Sequence, residues 1–240
     1  MSLSRIGAVV RKEVREFRRN RFVVSTMAVM PIVFLVIPLV TLFRIPASAS
    51  GTAVKSAVGS LSLLLLIVPL VIPPVIAAYS VVGERDQGTL EPVLTAPIRA
   101  SELLLGKAAA TFVPSVGIAY LIYFVAAVGV RIGAAHVVSE VVWHAPQMLA
   151  QILFTPLLAL WSIWVCIGIS TRAGDVRVAQ QLATLAGLPL LAFTSLISFQ
   201  IITPSFPLVV GLALAILVAD VVAWRVVSGL FDPERLLTRR

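Results

Sequence analysis

At 240 residues, 59% hydrophobic and 12% charged, with a mean hydropathy of +1.03, the chain is not an ordinary soluble protein, for which about 45–50% apolar and about 25% charged residues are usual. A net charge of +8 would suggest nucleic acid in a soluble chain, but lysines and arginines that anchor loops beside a bilayer account for it, so no nucleic-acid partner is expected. The single cysteine, Cys166, has no second thiol or nearby histidine and reads as packing rather than redox or metal chemistry.

Several stretches of about 20 apolar residues are long enough to cross a hydrocarbon core. They are apolar on both parities, which excludes the two-residue alternation of a membrane barrel. The fold expected is all-α and integral to the membrane, a single domain over 1–240.

The first element, 3–19, is amphipathic. Leu3, Ile6, Val10, Val14 and Phe17 recur at three- and four-residue intervals on one helical face. Arg5, Arg11, Lys12, Arg15, Glu16, Arg18 and Arg19 lie around the rest. Such a helix should lie in the membrane interface, with Arg5, Arg11, Lys12, Arg15, Arg18 and Arg19 reaching lipid phosphates. The apolar run from Phe22 to Phe43 exceeds the about 7–15 residues of a signal-peptide core, so cleavage after Ala47-Ser48-Ala49 is not expected.

Six spans follow, at about 22–43, 57–82, 103–130, 148–170, 178–202 and 208–227. Pro31 and Pro38 kink the first and free carbonyls that neighbouring helices must satisfy. Pro69 and the pair Pro73-Pro74 interrupt the second, either as a kink or as an unwound turn lining a cavity. The loop after the third span carries His136, Glu140 and His144, a poor metal constellation that reads as exposed loop histidines. Trp161 and Trp164 in the fourth span read as packing. A tight turn through Thr203-Pro204-Ser205-Phe206-Pro207 joins the last two spans.

Orientation follows from the basic residues. Arg5, Arg11, Lys12, Arg15, Arg18, Arg19, Arg21, Arg85, Arg99, Lys107, Arg172, Arg177, Arg225, Arg235, Arg239 and Arg240 fall on one side, against Arg44, Lys55 and Arg131 on the other. This asymmetry puts both termini in the cytoplasm of a multi-pass protein of the cytoplasmic membrane.

The polar segment 84–101 concentrates chemistry. Glu84, Asp86 and Glu91, with Glu102 just beyond, are four of the chain's 11 acidic residues. Thr89 can cap a short helix over about 90–95. Glu91 sits in its first turn at the positive end of the helix dipole, and Pro92 falls where a missing N–H costs nothing. Pro97 ends the helix, and Ser101 can cap the next one with Glu102 in its first turn. Leu90, Val93 and Leu94 share one face. From the residues alone two readings stand: a well-capped solvated loop, or a rigid apolar ridge with acidic flanks that docks on a partner.

The run Glu84-Arg85-Asp86-Gln87-Gly88-Thr89-Leu90-Glu91, then Thr95-Ala96-Pro97 and Gly106-Lys107, resembles the signature of ABC-2 type ABC transporter permeases between their second and third spans. The six-span layout and basic amino-terminal helix are similar too. The resemblance implies a pair of permease chains, the same or homologous, each engaging an ABC ATP-binding subunit, two per complex. Leu3–Arg19 becomes an elbow helix and 84–101 a cytoplasmic coupling segment. Glu84, Arg85, Gly88, Thr89, Leu90 and Glu91 become the residues that couple to the ATPase. The very short fifth-to-sixth turn puts any extracellular re-entrant helix in doubt.

No nucleotide site is expected in the chain itself. A P-loop needs G-x-x-x-x-G-K-[ST], whereas Gly106-Lys107 has Ser101 in place of the first glycine and Ala108 in place of the hydroxyl. ATP and Mg²⁺ would then sit on the partner, with no cofactor here. Two other classes compete. An ion-coupled carrier needs ionisable groups at depth, and Asp220 is the one such residue, read as a boundary residue close to Arg225. An intramembrane enzyme would need a base near Ser162, Ser195, Ser198, Thr184 or Thr194, and none but Asp220 is available. The expected function is a permease subunit, an exporter of a hydrophobic or amphipathic cargo.

Overall fold

The computed structural model describes residues 2–86, 88, 99–203 and 205–230, and every regular element among them is helical. The order is α1 (Leu3–Arg19), α2 (Arg21–Phe43), α3 (Gly51–Ala78), α4 (Ala100–Gly133), α5 (His136–Val142), α6 (Ala145–Ser170), α7 (Val176–Ser198) and α8 (Phe206–Leu230). A π-helical turn, Tyr79–Gly83, and a single α-turn, Glu84–Asp86, prolong α3. Six helices are long and apolar enough to cross a membrane: α2, α3 with its π-turn, α4, α6, α7 and α8. The chain is therefore a multi-pass helical membrane protein.

Local signals explain where the helices start and turn. Asn20 closes α1 and opens α2 at once: its N–H bonds the Glu16 and Phe17 carbonyls, and its side chain accepts from Phe22 and Val23 N–H. Ser50 caps α3 and Asp175 caps α7 through side-chain oxygens, as short polar residues do at helix starts. The expected cap at Ser101 is corrected. The helix begins at Ala100, with Arg99 in extended geometry at the N-cap, and Glu102 reaches back to the Arg99 N–H at 3.4 Å. A carboxylate at the third position can accept this bond, and it starts the helix earlier than Ser101 would. The second span also begins earlier than expected, at Gly51, and the fifth ends at Ser198. The helix α5 forms in what reads from sequence as an irregular loop.

The central element is α3, which packs against α2, α4, α6 and α7 and is the most buried of the six spans. Its three prolines do not break it. Pro73 has no N–H to give the carbonyl of Pro69 four residues back, and the Ser162 hydroxyl of α6 lies between that carbonyl, at 3.2 Å, and the Ala159 carbonyl of its own helix, at 2.9 Å. The Cys166 thiol lies 3.4 Å from the Pro74 carbonyl. The polar side chains of α6 thus compensate the weak stretch of α3, and Cys166 is a buried packing residue. α8 packs chiefly on α6, where Trp164 and Trp224 meet with ring centroids 4.8 Å apart.

Because α2, the end of α3, α4, α6, α7 and α8 alternate in direction, the starts of α2, α4 and α7 and the ends of α3, α6 and α8 share one end of the bundle. The basic residues of α1 lie at this end. Ser162→Ala should lower the stability of the detergent-purified chain by about 0.6 kcal/mol and by no more than about 1.7 kcal/mol, the average and the largest values for interhelical side-chain hydrogen bonds in a membrane protein. Ser162→Thr, which keeps the hydroxyl, should lose less.

Candidate functional site: a buried charge centre beneath the polar segment

The end of α3, the start of α4 and one face of α1 converge on the side chain of Lys107, which is fully buried. Its ammonium has three N–H groups to satisfy. It donates to Glu13 Oε1 at 2.7 Å, to Glu84 Oε2 at 2.7 Å and to the carbonyl of Ser80 at 2.5 Å. The three acceptors come from α1, the turn after α3, and the π-turn itself. A π-turn displaces the backbone from regular i−4 pairing, and here a lysine from the neighbouring span takes the Ser80 carbonyl.

Lys12 closes the centre from outside. It pairs with Glu84 Oε1, with Glu16 at 3.1 Å and with Glu13 at 3.5 Å. Burial works against its charge, but the hydrogen bond and charge of Glu84, with Glu13 and Glu16, outweigh that and hold the amine above its ordinary range. Burial raises the Glu13 carboxyl above the usual carboxylate value; Lys107 opposes the shift and the charge of Glu84 adds to it. Glu13 Oε2 is buried without a hydrogen-bond donor among the described residues. The carboxylates of Glu13, Glu16 and Glu84 lie within 4.8 Å of one another, the spacing of a metal site. The ammoniums of Lys12 and Lys107 already hold them, so a cation would have to displace a lysine.

Packing at this point is close. A Cβ on Gly106 would lie 2.6 Å from a Val9 methyl, so α1 can settle on α4 only where α4 has no side chain. The next turn of α4 holds α1 again. Glu102 accepts from the Ser2 N–H at 2.7 Å and pairs with Arg5 at 3.7 Å.

The residues of the expected coupling set separate into two groups. Glu84 is buried, its carboxylate turned inward to Lys107 and Lys12. Arg85 donates to the carbonyl of Ala173 in the loop between α6 and α7. Gly88 adopts a left-handed φ of 66°, which glycine reaches without strain, and its N–H bonds the Arg85 carbonyl at 3.1 Å. Thr89, Leu90 and Glu91, with the helix expected over about 90–95, lie outside the described residues. Of the arginines and lysine expected at the membrane interface, Arg5 and Lys12 are engaged in ion pairs with the chain itself. Arg11, Arg15, Arg18 and Arg19 are exposed. The buried face of α1 is Val9, Glu13 and Phe17, rotated from the stripe read in sequence, and it leaves Leu3 exposed. Sequence reasoning missed Lys107 and Glu13 as partners. The signal was there: Val9, Glu13 and Phe17 recur every four residues, putting a carboxylate on the apolar face, and Lys107 stands inside an apolar span.

A second feature lies between α2, α3 and α7, a pocket of about 810 Å³. Apolar residues such as Val29 and Val75 line it together with Ser25, Thr26, Gln180 and Thr184. Its lining on α3 flanks the Pro73-Pro74 pair. Asp220 is elsewhere, on α8. It is buried, and neither carboxylate oxygen has a hydrogen-bond partner among the described residues. Arg225 is exposed and makes no ion pair with it.

Replacing Lys107 with methionine leaves two buried carboxylates without their shared cation and should destabilise the purified chain by about 3–5 kcal/mol. The half-exposed Lys12→Met should cost less. A carboxyl raised in the folded chain contributes stability at pH below its unfolded value, and loses it as pH rises through the folded value. With Lys107 gone only the weaker attraction of Lys12 opposes the shift of Glu13, so the Lys107→Met deficit should shrink on acidification and grow toward neutral pH. Thermal melts over a pH series check this; a deficit independent of pH would refute it.

No curated protein matches the chain. Residues 9–175 match the family model described as ABC-2 family transporter protein, a stretch that includes most of α1, the whole charge centre and the spans α2, α3, α4 and α6, and with more than half of its length so matched the chain belongs to the ABC-2 transporter family.

Proposed function

We propose that this chain is the membrane-spanning permease of an ATP-driven exporter and that the charge centre around Lys107 transmits the movement of a separate ATP-binding subunit to the spans. The observation that carries this reading is the anchoring of both flanks of the polar segment. Before it, Glu84 is tied to Lys107 and Lys12, and Arg85 to the Ala173 carbonyl. After it, Glu102 is tied to Arg99, Ser2 and Arg5. A force applied to residues 87–98 therefore reaches α1, α3, α4 and the α6–α7 loop together.

In this reading the docking contact belongs to Leu90 and Glu91 with Thr89 as cap, Gly88 turns the chain toward the partner, and Glu84 and Arg85 fix the base of the segment. ATP and Mg²⁺ act on the partner. Two ATP-binding subunits and a second permease chain complete the transporter, and the basic end of the bundle faces the cytoplasm. The pocket between α2, α3 and α7 suits an amphipathic cargo, because hydroxyl and amide groups line it beside apolar side chains.

Docking and transmission separate by mutation. Leu90→Glu should weaken co-purification with the ATP-binding subunit by about tenfold or more, equivalent to about 1.4 kcal/mol. Arg85→Ala should leave the partner bound but reduce cargo-stimulated ATP hydrolysis in the reconstituted complex. Normal partner binding and normal stimulation in Leu90→Glu would end the docking assignment.

One observation favours a second reading, ion coupling: Asp220 is a buried acid with no donor at either oxygen among the described residues. Asp220→Asn decides between them. An ATP-driven permease should keep its ATP-dependent transport in this variant, whereas a proton relay demands loss of pH-coupled flux.

A further inference from the structure

The apolar side of α1 is divided. One strip, Val9, Glu13 and Phe17, is buried against the chain. The strip beside it, Val10 and Val14, faces a groove of about 510 Å³ between α1, α2 and α4. On α2 the groove is bounded by Val24, Met27 and Ala28, and on α4 by Ala109, Val113 and Pro114. Small side chains at 28, 109 and 110 leave the space, and α1 and the first turns of α2 form its walls. The volume is that of a site for a ligand of ordinary size, and almost all of the lining is hydrocarbon.

The rim is different in character. Arg18 lines the groove's edge. Arg15 and Arg11, three and seven residues before it, follow on the same flank of α1, as the helical repeat requires. All three are exposed, and none is in an ion pair among the described residues, whereas Arg5 and Lys12 on the opposite flank are neutralised by Glu102, Glu84, Glu13 and Glu16. An apolar slot with unneutralised guanidinium groups on one lip is complementary to a molecule with a hydrocarbon tail and an anionic head. Guanidinium groups bind phosphate oxygens in a fork geometry that suits such a head.

We infer that this groove is a discrete site for one anionic phospholipid, with an acyl chain between α1, α2 and α4 and its phosphate on Arg18, supported by Arg11 and Arg15. The lipid completes the packing of α1, whose apolar side is only partly covered by the protein. This differs from an amphipathic helix resting on bulk lipid, because occupancy depends on one slot and one lip and saturates at a single molecule per chain.

The test uses the full chain purified in mild detergent, with native mass spectrometry counting retained lipid and thermal melts read against added lipid. The wild-type chain should retain one phosphatidylglycerol per chain through delipidation and be stabilised by phosphatidylglycerol more than by phosphatidylcholine. Ala28→Phe fills the groove from an exposed position, and R11Q/R15Q/R18Q removes the charge of the lip without touching the core. Each should lower retention by about tenfold. Loss in the arginine variant alone would mean bulk attraction to a basic face, and loss in Ala28→Phe alone would mean an acyl slot blind to charge. Equal stabilisation by inorganic phosphate would mean a free-anion site. A fall in dimer mass with unchanged lipid count in Ala28→Phe would assign the groove to a second copy of the chain. Any of these outcomes, or unchanged retention in both variants, overturns the proposal.

Discussion

A buried ammonium must place each of its N–H groups on an acceptor or lose several kcal/mol, and Lys107 places its three on groups from three different parts of the chain. That single requirement orders the basic end of the bundle. α1 must present Glu13, the segment after α3 must present Glu84, and the π-turn must leave the Ser80 carbonyl pointing at α4. Moving any one of the three elements away strands charge inside the protein. The elements are therefore free to move together and costly to separate, which is the mechanical property expected of a structure that passes a displacement on rather than absorbing it.

The same argument explains why the polar segment begins and ends as it does. Gly88 turns the chain just beyond the clamped Glu84-Arg85 pair, and Glu102 holds both the start of α4 and the amino terminus of α1. Glu84 lies in the Lys107 centre itself, and Glu102 lies on the same helix as Lys107. The tie from Arg85 to the Ala173 carbonyl extends the unit to the α6–α7 loop, and α6 in turn supports the proline stretch of α3 through Ser162 and Cys166. The path from the polar segment to the pocket between α2, α3 and α7 is thus continuous along α3.

Much of this was legible in the sequence where one physical signal dominated. Long apolar runs specified six spans, and the periodicity of 3–19 specified α1 with the bounds observed. Boundaries failed where two signals competed: Ser101 is a good cap by type, but Glu102 could reach the Arg99 N–H and started α4 sooner. Burial of charge failed for a different reason. Hydropathy counts Glu13, Glu84 and Lys107 as polar and assigns them to surfaces; the apolar surroundings of Glu13 and Lys107 hint at burial, but local spacing does not name partners 94 and 23 positions apart. The rotation of α1's buried face follows from Glu13, whose attraction to Lys107 outweighs the covering of Leu3.

Glu13 also bears on what kind of helix α1 is. A free interfacial helix gains by presenting an unbroken apolar face to acyl chains, and a carboxylate within that face would oppose binding at any ordinary bilayer surface. On this chain the carboxylate meets Lys107, so the same residue that weakens a nonspecific membrane contact makes the contact with α4 specific. The close approach at Gly106 and Val9 adds shape to charge: α1 fits one place on one span. Its remaining surface is then divided between the neutralised flank of Arg5 and Lys12, committed to the protein, and the unneutralised flank of Arg11, Arg15 and Arg18, turned outward beside an apolar groove. One side of α1 is thus committed to the charge centre through Glu13, and the next borders the groove beside α2 and α4.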